Sequence, residues 1–538
     1  MLAAIPSATL HGAVGCPVTV EVHISNGLPA FTVVGLPDAA VRESRDRVRA
    51  ALLSSGLHWP QRRITVNLAP SGLRKGGACL DLPIAVGILV ASGELAAATV
   101  RDTAFVGELG LDGSLRHVGG VIPLADVAEG VRLVVPVDDA ATARVVKAGT
   151  VRAAGSLHEL VSALRGEEPW PDRFEGPVPP SSPESLPDPA APDGAPDLAD
   201  VRGQRLGRRA VEVAAAGGHH LLLIGPPGSG KTMLAERMTG LLPDLPSPQA
   251  LEVSRVYSAA GLPLPLGGLI RRPPFRAPHH GASAVSLIGG GTSWMRPGEI
   301  SLAHHGVLFL DEMGEFPAAV LDHLRQPLEE GVVRVSRAHG TSTFPARFQL
   351  VGAMNPCPCG DGGPPGSCRC SEAARARYTR RVSGPLLDRF DLVVTLRRPD
   401  PDELLWGSAG ERSREVAERV RAARWRAGAR GVSANAELGA GQLERSAPLD
   451  RQATALVDRH IRSGRLSARG LARIRRVART VADLETGDRL AGCDRAESAT
   501  AGCEEAAPDG GESPLEERHV AEALALHAGR AVLHAPET

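Results

Sequence analysis

Three groups of residues in this chain have the types and the spacing to do chemistry. The first is Gly225-Pro226-Pro227-Gly228-Ser229-Gly230-Lys231-Thr232, a G-x-x-x-x-G-K-T loop. It joins an apolar run at 219–224 to an amphipathic stretch at 233–242 that reads as a helix. Glycines there let backbone N–H groups turn inward around phosphate oxygens, at a helix N-terminus whose dipole favours anions. Lys231 has the reach for β- and γ-phosphates, and the Thr232 hydroxyl has the chemistry of a Mg2+ ligand. The lysine carries extra weight: of 60 basic residues only Lys75, Lys147 and Lys231 are lysines.

The second group is Asp311-Glu312, two acids that close the apolar run 306–310. Behind a phosphate loop, the first acid holds Mg2+ through water and the second polarises the attacking water. Taken alone, such a pair also serves as a helix N-cap. Asn355 ends another apolar run, 349–354, and is placed to orient the lytic water. In Ser383-Gly384-Pro385-Leu386-Leu387-Asp388-Arg389-Phe390-Asp391, Arg389 has the chemistry to stabilise phosphoryl charge on a neighbouring subunit. Its other reading is a surface ion pair with Asp388 or Asp391.

The third group is Cys357-Pro358-Cys359 with Cys368-Arg369-Cys370, four thiols within fourteen positions. That count matches a tetrahedral Zn2+ site, although C-x-x-C is the more usual spacing. Four free thiols are the other reading. The glycine- and proline-rich turn between the pairs is suited to bringing them together. Cys16, Cys493 and Cys503 fall in no pattern.

The surrounding sequence says what must position these groups. A chain of 538 residues divides into three or four domains, and 43% hydrophobic with 22% charged residues excludes a disulfide scaffold or a wholly disordered chain. No apolar run is long enough to span a membrane, and the start lacks the basic and apolar regions of a signal peptide. A cytoplasmic, reduced setting follows. The fold class is α/β. Residues 1–165 alternate β-like runs (18–24, 30–34, 63–68, 133–137) with helix-like ones (39–54, 82–91). Residues 166–197 form a proline-rich, acidic linker expected to be extended. Residues 198–398 read as a parallel sheet with crossover helices. Residues 399–538 are mostly helical, with an exposed loop expected at 485–514.

The net charge is −1, so a nucleic-acid surface must come from charge distribution. Between Glu252 and Glu299 there is no acid, but there are Arg255, Arg271, Arg272, Arg276 and Arg296, with His279 and His280. Between Glu330 and Asp361 there is again none, with Arg334, Arg337 and Arg347 in a hairpin-like stretch. A third acid-free run, 459–479, carries eight arginines. Such stretches suit a phosphate backbone without regard to sequence. Against this, arginine dominates the whole surface and glycine-rich loops are acid-poor anyway. Trp294, Phe275 and Phe344 are the stacking candidates among the first two stretches, so recognition is expected to be mainly electrostatic.

The order of phosphate loop, FLDE, Asn355, LLDRFD and helical tail resembles that of AAA+ ATPases. DVRGQ (200–204), RPPFRAPHH (272–280), GGGTSWMRPGEISLAHHGVLFLDE and AMNPCPCG resemble the magnesium-chelatase-like branch. With NGLPAFTVVGLPDAAVRESRDRVRAAL at the front, the chain resembles the ComM/YifB family of competence-associated AAA+ proteins, over nearly its whole length apart from the linker and the 485–514 loop. The resemblance implies an AAA+ core with a C-terminal helical lid, binding ATP and Mg2+. It places Gln204 near the adenine, Asn355 as sensor 1, Arg389 as arginine finger and Arg469 as sensor 2, with Arg473 competing for that role. It further implies a homohexameric ring whose two basic insertions face the pore. Such a ring would drive branch migration, as a helicase on single-stranded or branched DNA, during natural transformation. A magnesium-chelatase motor subunit, driving the metal into a porphyrin, is the alternative. The front domain is similar to the Lon-protease type of fold. Cys79 falls at the position of the nucleophilic serine there, but Ile122 stands where the lysine base belongs. A thiol without a base is a poor nucleophile. The front domain is therefore expected to lack a catalytic dyad, with Cys79 a small buried hydrophobe.

Overall fold

In the front block, alternation of apolar residues builds a sheet with one face in the core. Val18, Val20, Val22 and Ile24 are buried from one strand, and Ile64, Val66 and Leu68 from its neighbour, the period-2 pattern of a half-buried strand. The sheet runs Leu2–His11, Val14–Ser25, Arg63–Ala69, Ala30–Val34; its last pair is parallel. Helix Ala39–Ser54 starts where the Asp38 carboxylate accepts the Val41 N–H at 2.9 Å. Helix Asp81–Ser92 is buried on nearly every face, between this sheet and a second, parallel one made of Thr103–Phe105, Arg132–Pro136 and Val151–Ala154. One apolar cluster unites these elements, from Ala3 to Leu164. The expected strands and helices stand within a few residues of their places.

The computed structural model describes the chain except Met1 and residues 129–131, 148, 171–195, 266–267, 292–294, 338–339, 361–367, 494–511 and 530–538; of 337, 340 and 487–493 it describes the backbone alone. Most of the expected linker lies outside the described residues.

The second block has five parallel strands. In spatial order they are Phe275–Arg276, Val307–Leu310, Gln349–Met354, Leu221–Ile224 and Leu392–Thr395. The three central strands are buried at every residue, as parallel strands covered on both faces by helices must be. This order decides where the chemistry sits. Parallel strands send all their C-terminal ends to one edge of the sheet, where ligands bind in such folds. The strand ending at Asn355 lies between the one feeding the phosphate loop and the one ending at Asp311, so the three motifs are neighbours.

Two expectations are corrected. The helix expected at 233–242 begins at Lys231, directly after left-handed Gly230, and gives way after Arg237 to a tighter turn, Met238–Leu241. The loop expected at 485–514 is helical to Cys493, as part of Ala468–Cys493. Val477, Val481 and Leu484 pack in one core with Val520 and Ala523 of helix Glu517–His527, and no proline interrupts the chain before Pro508. Residues 494–511 lie outside the described set.

The blocks touch. Leu251 and Leu264 pack on the front core, and Arg255 pairs with Asp126 at 2.7 Å. The hairpin Val332–Arg337 and Gly340–Pro345 rests on the turn after the first strand: His11 Nε2 lies 3.1 Å from the Thr341 carbonyl, and Ala13 shares an apolar cluster with Val335 and Phe344.

Candidate nucleotide site

Gly228 and Gly230 sit at φ +76° and +84°. A Cβ at either position would meet no atom within 4 Å, so torsion and not space requires glycine. Helix Lys231–Arg237 starts directly after this turn. Lys231 Nζ donates to the carbonyls of Gly225 at 2.7 Å and Pro226 at 3.0 Å, and to Asn355 Oδ1 at 3.1 Å. Burial pushes this ammonium's pKa down, against the pull of Asp311 and Glu312. The Thr232 hydroxyl donates to Asp311 Oδ2 at 2.8 Å, and Asp311 Oδ1 accepts the Glu312 N–H at 2.8 Å. A hydroxyl and a carboxylate side by side are the hard oxygen donors that Mg2+ takes. Ser229 Oγ is buried among the loop atoms with no hydrogen-bond partner. Loop, lysine, oxygen pair and orphaned hydroxyl together fit a magnesium–triphosphate.

Glu312 adopts φ +50°, left-handed backbone that a residue with a Cβ rarely takes. Its Oε2 lies 3.0 Å from His280 Nδ1. In the sequence His280 falls in a basic stretch and closes RPPFRAPHH, with no role of its own. The structure shows why it arrives here. Edge strand Phe275–Arg276 pairs in parallel with the acid strand, Phe275 opposite Val307, so residues just beyond it emerge at the same sheet edge as Glu312. A two-residue strand leaves no periodicity to read. The adjacent histidines of RPPFRAPHH were the available signal.

Gln204, also left-handed at φ +50°, donates from Nε2 to the Ser229 carbonyl at 3.0 Å and the Arg397 carbonyl at 2.5 Å. It ties the phosphate loop to the chain leaving the Leu392–Thr395 strand. Arg389 is not brought to its own phosphate loop. It precedes that strand, and the loop follows the strand's parallel neighbour, so the two lie at opposite ends of the sheet, roughly 10 Å or more apart. Within the subunit Arg389 pairs with Glu329.

Asp391 is nearly enclosed. Burial pushes its carboxyl up, but His219, His220 and Arg473 outweigh that and hold it at about 2. Arg473 Nε lies 3.4 Å from Asp391 Oδ1, and a further Arg473 N–H bonds the Asp388 carbonyl. Arg473 thus braces the turn that carries Arg389. Arg469, one helical turn earlier on the same face, is exposed.

The basic stretches divide. Arg276 makes a bidentate pair with Glu299 at 2.6 and 2.8 Å and is committed inside the subunit. Arg334 is exposed and meets Glu330 at 2.7 Å, a pair worth about 0.5 kcal/mol in water. Arg271 is half-buried and Arg272 exposed. The side chain of Arg337 and all of Trp294 lie outside the described set. Two stacking candidates turn to the core: Phe344 is fully buried, and half-buried Phe275 stacks on Phe309 with centroids 5.8 Å apart. The 459–479 run also turns partly inward. Arg475 binds Glu444 and the Ala447 carbonyl, Arg476 the Leu438 carbonyl, and Arg479 the buried Asp483.

In the front block Cys79 is buried against the carbonyls of Ala8 and Gly76, and burial pushes its thiol up to about 12. Ile122 is fully buried. A thiol so enclosed and so little ionised is a poor nucleophile.

Residues 197–404 match the family model described as magnesium chelatase, subunit ChlI; residues 20–139 match a model of the same subunit and residues 410–500 its C-terminal part. A Salmonella typhimurium protein named YifB is 44% identical over 480 residues, covering 88% of this chain and 92% of that protein. The competence protein ComM of Haemophilus influenzae is 44% identical over 475 residues, 87% of this chain and 91% of ComM. Lon protease 2 of Bacillus subtilis is 29% identical over 185 residues, 30% of this chain and 32% of that protease. Among the described residues no helix is long and apolar enough to cross a membrane.

Proposed function

We propose, from the premise that this chain belongs to the YifB and ComM family of magnesium-chelatase-like AAA+ proteins, that it is an ATP-driven DNA motor working between subunits of a ring. The observation that carries the reading is the split of the catalytic set across the sheet. Lys231, Thr232, Asp311, Glu312 and Asn355 converge at one edge. Arg389 stands at the other, and it is read as serving a second copy.

The chain's own residues divide the work. The loop amides and Lys231 hold the phosphates once the ammonium leaves the Gly225 and Pro226 carbonyls. Glu312 takes the proton of the attacking water, and Asn355 orients that water. Mg2+, held by Thr232 and Asp311, would neutralise charge developing on the phosphates. Arg389 of one subunit completes the site of the next. Arg469 shares the face of Arg473, which grips the Arg389 turn, so it too is read as serving a neighbour's nucleotide.

The cargo is read as single-stranded or branched DNA, contacted by Arg271, Arg272, Arg334 and Arg337 in a homohexamer, in the cytoplasm. The name of the Haemophilus relative supports a role in competence, and branch migration by helicase action is the activity proposed. The front block is read as a Lon-type domain without its dyad and 399–538 as the helical lid. The match of 197–404 to a magnesium-chelatase subunit favours one other reading, a motor that drives Mg2+ into a porphyrin. ATPase assays separate them. Stimulation by single-stranded or forked DNA and not by porphyrin supports the DNA motor; the reverse overturns it.

A further inference from the structure

We propose that Cys357, Cys359, Cys368 and Cys370 form a structural Zn2+ site that fixes the loop between Asn355 and the phosphate-binding turn. The four Sγ atoms all lie within 4.8 Å of one another although the stretch 361–367 separates the pairs. Cys357 is 3.3 Å from Cys359 and 3.5 Å from Cys368, and Cys359 is 3.4 Å from Cys368. Thiolates around one Zn2+ at about 2.3 Å stand about 3.8 Å apart at the corners of a tetrahedron. The three spacings of 3.3 to 3.5 Å fall slightly inside that edge, and none among the four sulfurs exceeds 4.8 Å.

Other uses of the thiols fit less well. A disulfide draws two sulfurs to about 2.0 Å and leaves the second pair without a purpose. An iron–sulfur cluster holds its thiolates on different irons, farther apart than a single ion does. Packing does not explain the cluster either, since only Cys357 is buried and Cys359 is exposed. Four soft ligands at one point select zinc over the hard Mg2+ of the nucleotide site. The surroundings suit the negative charge of a tetrathiolate centre. Arg375, on helix Glu372–Thr379, reaches the Cys368 sulfur, and the Cys370 N–H lies 3.4 Å from it.

Placement gives the site its consequence. Cys357 follows Asn355 by two residues, on the chain leaving a fully buried strand. Gly360, at φ +85°, packs so closely on the phosphate loop that a Cβ there would stand 2.8 Å from Pro227 Cδ and Cγ. An ion that closes the knuckle therefore pins both the asparagine bonded to Lys231 and a wall of the loop. The inference stands on the four sulfurs and does not depend on the DNA reading.

The test uses the full chain, purified without added metal in chelator-treated buffer. Elemental analysis is expected to find about one zinc per chain, released when an organomercurial blocks the thiols. Exchange for Co2+ is expected to give the intense visible bands of a tetrahedral site with sulfur-to-metal charge transfer. The double variant Cys359→Ser with Cys370→Ser should lose zinc at least about tenfold. Should that variant misfold, the Co2+ spectrum of the unaltered chain still decides. Zinc below about a tenth of an equivalent with four freely titrating thiols overturns the proposal. So does iron in place of zinc, a Cys357–Cys368 disulfide in a non-reducing peptide map, or an octahedral Co2+ spectrum.

Discussion

His280 Nδ1 lies 3.0 Å from Glu312 Oε2, so an imidazole from the edge-strand segment occupies an oxygen of the carboxylate proposed to activate water. Glu312 is held at φ +50°, a conformation that costs a residue with a Cβ about 1–2 kcal/mol. Something else in the fold must offset that cost, and the pairing with His280 is one such restraint. Arg271 and Arg272, proposed to contact DNA, are joined to His280 by a short stretch of chain, so binding there would have a direct route to the carboxylate. His280→Ala should release Glu312. Basal kcat should rise several-fold, KM for ATP should stay within about twofold, and the ratio of DNA-stimulated to basal turnover should shrink. A fall in basal kcat would instead make His280 a residue that aims Glu312 productively.

Glu312→Gln keeps the shape of the side chain and removes its capacity to take a proton. A fluorescent ATP analogue should bind as tightly as before, while turnover drops by about 10²–10⁴. Intact turnover would move the proton acceptor elsewhere.

Much of this was legible in the chain itself, for a physical reason. The phosphate loop, Asp311-Glu312 and Asn355 each close an apolar run long enough to mark a buried strand, and parallel strands bring such ends together. What escaped were relationships set by packing. Arg276 looked like surface charge, but its strand is an edge of the sheet and Glu299 neutralises it. Arg475 and Arg479 looked like a basic stripe, yet they fall on the helix face that meets Glu444 and Asp483. Charge counted along the sequence does not tell inward from outward.

Arg389 makes the division of labour between subunits measurable. Arg389→Ala should lower turnover by roughly 10³, and Lys231→Ala should abolish nucleotide binding at its own site. Mixing the two inactive proteins should restore part of the activity, because roughly a quarter of the interfaces in a randomly mixed ring pair an intact loop with an intact arginine. Absence of any recovery, with mixed oligomers shown by native mass spectrometry, would place Arg389 outside the neighbour's site.

Among the described residues Arg334 pairs with Glu330 at the surface, an ion pair that a phosphate can displace at little cost. Replacing Arg334 and Arg337 together with alanine should weaken oligonucleotide binding. The slope of log K against log salt should flatten by roughly 0.7 for each phosphate of a single strand that the variant no longer neutralises. Unchanged affinity and slope would remove the hairpin from the DNA path.

His304 gives the fold a pH dependence of definite sign. Its ring is almost fully buried; Nδ1 accepts the Arg347 N–H at 3.0 Å, and Nε2 faces Glu252 at 3.1 Å, with the His305 ring 4.0 Å away. Burial first, and then the neighbouring His305, pull its pKa down to about 4 although Glu252 acts in the other direction. Between that value and about 6.5 the unfolded chain binds a proton that the folded chain refuses. Stability therefore falls as pH drops through this window, by up to roughly 3 kcal/mol at about 1.4 kcal/mol per unit. The Glu252 carboxyl, held low by the same histidines, adds its own loss at still lower pH. Melting temperature followed from pH 7 to 4 should decline, and His304→Gln, which keeps a hydrogen-bonding side chain without the titration, should flatten that decline. An equal slope in both proteins would assign the acid sensitivity to other groups.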